Sequence, residues 1–363
     1  MKIRSVGARD PERAVRGLVL AAGHGSRLAP ITDHCPKPLL PVLNVPLMHW
    51  ALARLSSVGV TEVAVNVQER HIDLFRAALG GGARFGMDII YVPEARPSGT
   101  GGVLRAIREF WGQATLLVVD ADIISTLDLS AMLAQHRAEA VQATIGCLRH
   151  PWRMADFTGD IVRLSADGSQ VVGYQHKPGV RAHGRVAAAG AVALEPLAIE
   201  FVPGPASVGV ETTIDLGRDV LSGMIGDART EVGAYLRPHR FVDFGTPRQF
   251  IDGSMMALHG RLGARPCIAA VEKTDLESDR VLIDPTAQVL EPVLIGRGAR
   301  VGAGSRIVGP AVIGEHCDIA PDSMVHESVV LPGATVPTGM TARGMIVSAE
   351  AAVNAVERGG PGG

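Results

Sequence analysis

From Ile283 to Leu331 an aliphatic residue falls at every sixth position: Ile283, Val289, Ile295, Val301, Ile307, Ile313, Ile319, Val325 and Leu331. Small residues recur four positions on, at Ala287, Ala299, Ser305, Ala311, Cys317 and Ser323, and glycine follows the aliphatic at Gly296, Gly302 and Gly314. A period of six matches neither the 3.6 of a helix nor the 2 of a strand. It matches a left-handed parallel β-helix of hexapeptide repeats, in which three hexads close a triangular coil and each inward corner takes one aliphatic side chain. The run predicts a short solenoid of about three turns. Its open ends need a cap or a partner, which points to homo-oligomerisation or packing on a neighbouring domain. The repeat is placed at 281–345, behind a linker at 260–280, and the tail from Ala349 is expected to fray.

The 363 residues leave room for a second domain, placed at 16–259. Its short apolar runs GLVLAA, TEVAVNV, MDIIYV and ATLLVVD alternate with helical spacing in PLMHWALARLSSVG, IDLFRAAL and GGVLRAIREF. That alternation predicts an α/β fold with a Rossmann-like, mostly parallel sheet. Farther on, HGRVAAAGAVAL and RFVDF read as strands and TTIDLGRDVLSGMI as a helix. Lys and Arg number 35 against 37 Asp and Glu, so no overall field favours nucleic acid or an anionic membrane. No apolar run reaches the roughly 18 residues of a membrane span, and the first residues lack the apolar core of a secretion signal. The four cysteines are far apart in sequence, as expected of reduced thiols in a cytoplasm rather than a zinc site.

The chemistry begins where the first strand runs into Gly23-His24-Gly25. Glycines there let backbone N–H groups approach a polyphosphate, although a tight strand-exit turn explains them equally well. Arg27 follows, and Lys37 stands between Pro36 and Pro38 on a stiffened segment. A guanidinium fork and an ammonium point charge suit a triphosphate.

Ala21–Val42 resembles the signature of the sugar nucleotidylyltransferases (nucleotide-sugar pyrophosphorylases), standing here as Gly23-His24-Gly25-Ser26-Arg27-Leu28-Ala29-Pro30-Ile31-Thr32 and Pro36-Lys37-Pro38. The resemblance implies that Ala21, Ala22, Gly23, Gly25 and Ser26 wrap the nucleotide phosphates, with Arg27 and Lys37 catalytic. By its residues alone, Pro97-Ser98-Gly99-Thr100-Gly101-Gly102 reads as a helix start with bare backbone donors, or as an ordinary cap. It resembles the family loop that holds a purine base, which brings in Glu94, Gly99 and Thr100. The likeness is greatest to mannose-1-phosphate guanylyltransferases and favours GTP. Asp122, at the end of the strand in LLVVDADIIS, matches the family's metal-binding aspartate, with Asp120 and Ala121 replacing the two residues before it. Asp243, before Phe244-Gly245-Thr246-Pro247, matches the second metal carboxylate, so Mg2+ is the implied cofactor.

On the acceptor side Lys177 would hold the sugar phosphate, while His176 replaces the family's glutamate and Ala188 its asparagine. Gly190 is retained, and Glu211 matches an acidic position near the sugar. The two replacements point to an altered acceptor, such as a deoxy, modified or carbocyclic (cyclitol) 1-phosphate. The expected reaction is an in-line displacement at the nucleotide α-phosphorus without a protein nucleophile. Other readings stay open: a non-catalytic subunit sensing a nucleotide sugar, or a relative using UTP, dTTP or ATP. An acyltransferase would need an inward histidine on the repeat, where His316 and His326 read as surface residues. An NAD-binding oxidoreductase would need a further glycine after Gly25.

Overall fold

A computed structural model describes residues 14–149, 159–179, 184, 186–204, 213–263 and 279–355. The expected linker lies, apart from its ends, outside the described residues, as do Glu211 and Cys267. The chain divides into two compact units. One takes the residues up to Gly23 with Ala51–Ala121 and Leu127–His239, and the other takes His24–Trp50, Asp122–Thr126 and the chain from Arg240.

The first unit is built on a nine-stranded sheet. Strands Asp88–Glu94, Glu62–Gln68, Val15–Leu20 and Thr115–Asp120 lie side by side in that order, all parallel. Leu18, Val19, Val63, Val65, Leu117 and Val118 are buried, neighbours along a strand alike, as in a parallel sheet covered on both faces. Val186–Leu194 continues the sheet antiparallel to Thr115–Asp120 and pairs also with Ala143–Arg149. Gly190 has φ 64° where that second pairing shifts register between Ala188 and Val192. The bulge, and not a ligand, is sufficient reason for a glycine at this position.

Two expected helices are less regular than their periodicity. GGVLRAIREF gives two short helices, Val103–Ala106 and Arg108–Trp111. In TTIDLGRDVLSGMI a π-helical turn, Leu216–Leu221, precedes the α-helix Ser222–Gly226. The Asp215 side chain caps the π-turn by accepting from the Gly217 and Arg218 amides.

In the second unit the repeat forms three stacks, each with four parallel strands. The inward row runs Val301, Ile307, Ile313, Ile319 and Val325, then Val330, Val336, Ala342 and Val347. Ile313 is therefore paired with Val330, and Leu331 leaves the row to pack outside with Val312 and Val329. The step from Val325 is one residue short because Glu327 turns with φ 48° and the Ser328 hydroxyl bonds the His326 carbonyl at 2.8 Å. At Gly296 and Gly314 a Cβ would run into the next coil's backbone, so the stacking itself requires glycine. Of the tail expected to fray, residues 356–363 lie outside the described residues, while the chain just past Ala349 returns as Ala352–Asn354, antiparallel to Met345–Val347, with Val353 buried.

The outer side of the repeat shares a core with the residues after Gly23. Leu28, Ile31, Leu40, Val42 and Val45 cluster with Val312, Val329, Leu331 and Ile346, and with Phe244 and Phe250 of the chain beyond Arg240. The Asn44 amide donates to the Ile313 carbonyl at 3.2 Å. Among the described residues no helix is long and apolar enough to cross a membrane.

Candidate active site

Lys37, Asp122 and Asp243 meet in the second unit. Phe241–Asp243 pairs antiparallel with Ile123–Ser125, placing Asp243 opposite Ile123 and so beside Asp122. The Phe244 amide closes the corner on the Asp122 carbonyl at 3.1 Å. A 3-10 turn, Lys37–Leu39, delivers the lysine. Its Nζ donates to Asp122 Oδ2 at 2.6 Å and to Asp243 Oδ1 at 3.3 Å. The lysine side chain is 7% exposed and the two aspartates 36% and 27%.

Gly25 sits at φ 64° with its missing side chain facing Thr32 and Lys37, and the Thr32 hydroxyl bonds the Gly25 carbonyl at 3.0 Å. Arg27 is exposed, and no described residue pairs with it. Its Nη2 lies 2.8 Å from where a Cβ on Gly245 would be, as Asp243 Oδ1 does at 3.1 Å, so Gly245 keeps room for both groups. Thr246 then caps the helix Pro247–Leu258, as the sequence predicts.

One oxygen of each aspartate lies within 3.3 Å of a common point, the Lys37 ammonium, and both side chains remain partly open to solvent. Carboxylates plus phosphate and water oxygens form the set that suits Mg2+, so these residues fit the implied metal.

The first unit braces the other half of the strand-exit loop, using residues the sequence reading missed. Asn66 accepts from the Ala21 amide at 2.8 Å and donates to Glu94 Oε2 at 3.1 Å. Gln68 donates to the Ala22 carbonyl at 2.9 Å and the Gly23 carbonyl at 3.3 Å. Glu94 Oε1 accepts from the Ser98 amide and hydroxyl, so both its carboxylate oxygens are engaged within the chain. The one signal in the sequence was two polar residues closing an otherwise apolar strand.

In the Gly99–Gly102 loop two backbone donors are engaged within the chain. The Gly101 amide donates to the Ile214 carbonyl at 2.9 Å and the Gly102 amide to Gly99 at 3.1 Å. Thr100 Oγ1 accepts from the Leu216 amide at 2.8 Å and donates to Asp215 at 3.2 Å. A Cβ on Gly99, which has φ 90°, would overlap the Ile214 carbonyl. The loop is thus closed on the Ile214–Leu216 backbone, and its glycines serve that close approach.

Asp215 also faces the acceptor-side residues. His176 Nδ1 lies 3.1 Å from Asp160 and 3.5 Å from Asp215, and these three could in principle share a metal ion. Asp160 accepts from the Tyr174 hydroxyl at 2.7 Å and the Lys177 amide at 2.9 Å. Burial, then the Asp160 carboxylate, pushes the Tyr174 hydroxyl well above its ordinary range, so it stays a donor. Lys177 is exposed. Asp160 and Asp215 had no signal of their own in sequence, since a lone aspartate reads as a cap.

Within the second unit, an ammonium held between two carboxylates follows a glycine turn, an arrangement of the kind used in chemistry at phosphates. The chain belongs to the nucleotidyl transferase family, whose model matches residues 16–260. A bacterial transferase hexapeptide model of six repeats matches 292–327. A mannose-1-phosphate guanylyltransferase from Mycobacterium tuberculosis is 27% identical over 298 residues, 82% of this chain and 79% of that one. A UTP–glucose-1-phosphate uridylyltransferase from Synechocystis is 28% identical over 340 residues, 87% and 82% of the two chains. A glucose-1-phosphate thymidylyltransferase from Streptomyces griseus is 28% identical over 340 residues, covering 89% and 88%. A solved structure from Bacillus anthracis, at 20% identity and a TM-score of 0.59, covers 67% of this chain and 95% of its own, a likeness of fold.

Proposed function

We propose that this enzyme transfers a nucleotidyl group from an NTP to a sugar or sugar-like 1-phosphate and releases pyrophosphate. The observation that carries the reading is Lys37 held between Asp122 and Asp243. Relatives named for GTP, UTP and thymidylyl transfer all support the reaction class. The likeness of the Glu94–Gly102 segment to guanylyltransferases favours GTP as donor. His176 and Ala188, which stand where the family resemblance implies a glutamate and an asparagine, favour a modified or carbocyclic acceptor.

In this reading the loop Ala21–Ser26 binds the phosphates with backbone amides, its path set by Asn66 and Gln68. Arg27 and Lys37 offset charge on the α-phosphate and the departing pyrophosphate. Lys177 holds the acceptor phosphate, which is already ionised near neutral pH, so no general base is required. Asp122 and Asp243 would hold Mg2+, which when bound supplies Lewis-acid neutralisation of phosphate charge. Positioning accounts for the rest. The repeat is assigned a role in assembly of a homo-oligomer, since its first rung leaves Leu282 and Ile283 53% and 46% exposed.

The test is pyrophosphate release from four NTPs against a panel of sugar and cyclitol 1-phosphates, with Lys37→Ala as control. Turnover with the wild type and none with the variant is expected. No turnover on any pair would favour the nucleotide-sugar-sensing subunit instead.

A further inference from the structure

We propose that Lys37 and a divalent cation compete for the same two carboxylates, so that the free protein binds the cation weakly. Tight binding waits until nucleotide phosphates draw the ammonium away. The inference rests on the reading that Asp122 and Asp243 are the metal-binding pair.

The geometry sets up the competition. Nζ is 2.6 Å from Asp122 Oδ2 and 3.3 Å from Asp243 Oδ1, so the ammonium already holds one oxygen of each carboxylate. A Mg2+ ion takes carboxylate oxygens at roughly 2.0–2.1 Å. An ammonium and an ion cannot both hold those oxygens without bringing like charges into contact. The lysine side chain is 7% exposed and its backbone is stiffened by Pro36 and Pro38, so without an anion to receive it the ammonium stays on the carboxylates. Its Cβ also lies 3.2 Å from where a side chain on Gly25 would be, so the lysine stem runs close beside the loop meant for the phosphates.

Charge points the same way. Two aspartates and Lys37 sum to about minus one, and a dication added alone leaves that small site at about plus one. A triphosphate on the Gly23–Arg27 loop removes the excess and gives the ammonium other anionic partners. The cation and the nucleotide then enter together.

Mn2+ titration of the metal-free protein, read by the EPR signal of free Mn2+, tests this without turnover. Lys37→Met should bind Mn2+ at least about ten-fold tighter than wild type, since a full positive charge is removed from contact. Lys37→Arg should stay near wild type, and adding Asp122→Asn to Lys37→Met should abolish the gain. Thermal unfolding should show Lys37→Met weakened without metal and restored by Mn2+. Should that variant not fold, Lys37→Gln, which keeps a polar donor against both carboxylates but no charge, should show the same direction. Equal Mn2+ affinity with and without the lysine, together with loss on Asp122→Asn, overturns the competition and leaves the metal assignment standing. Mn2+ binding indifferent to Asp122→Asn and Asp243→Asn removes the metal assignment and this inference with it.

Discussion

Asn66 joins two segments through one amide group, and its two halves can be tested separately. Asn66→Ala leaves the buried Ala21 amide without its acceptor at 2.8 Å and takes away the Glu94 partner at 3.1 Å. An unsatisfied buried amide costs about 1–3 kcal/mol, and a hydrogen bond to a charged group contributes about 1.5–3 kcal/mol. The expected loss is therefore roughly 2.5–6 kcal/mol. Asn66→Asp keeps the acceptor for Ala21 but turns the donor into a second carboxylate facing Glu94. At that spacing two negative charges repel by about 5 kcal/mol at an effective dielectric near 20. The repulsion raises the affinity of the pair for a proton, so the folded state binds protons that the unfolded state does not. The penalty of Asn66→Asp should thus be large at pH 7.5 and shrink as pH falls towards 5, whereas that of Asn66→Ala should stay. Urea unfolding at both pH values, with hydrogen exchange of the peptide spanning 18–25, measures it. In turnover both variants should raise KM for the nucleotide and spare KM for the acceptor. If Asn66→Asp stays within about 0.5 kcal/mol of wild type at pH 7.5, the bridging role of Asn66 is wrong.

Gly314→Ala would set a Cβ 2.7 Å from the Leu331 carbonyl carbon and 2.8 Å from Pro332 Cα; forcing the coils apart should cost about 1–3 kcal/mol, and an unchanged thermal midpoint would refute the stacking account. Burial, then the Glu350 carboxylate, pushes the Cys35 thiol up to about 11. Its alkylation by iodoacetamide at pH 8 should be slow and should still climb between pH 9 and 11, as read by mass spectrometry of its peptide. The same shift favours the folded state below the unfolded thiol's value near 9 and stops doing so as pH rises towards 11.

The repeat is legible in sequence because each corner of a coil admits one inward side chain, which writes the geometry as a period. Its one-residue slip is not, since Val330 and Leu331 are both aliphatic and only the turn at Glu327 selects the first. Lys37, Asp122 and Asp243 were legible through motifs whose residue types the chemistry restricts. That one ammonium bridges both acids depends on the pairing of Phe241–Asp243 with Ile123–Ser125, a contact across more than a hundred residues that no local pattern carries. The closed Gly99–Gly102 loop escaped for the same reason, its partner being the distant Ile214 backbone.

The shared core beneath Leu40 and Val42 restricts how such a chain can be recombined. The segment carrying Lys37 rests on Val312, Val329 and Leu331, outer residues of the coils. A solenoid borrowed from another protein would have to arrive with a matching outer face, or the lysine would lose its footing. Gene fusion can supply the repeat once; thereafter the two parts must mutate in concert, like a lock and its door frame, and cannot be traded as independent cassettes.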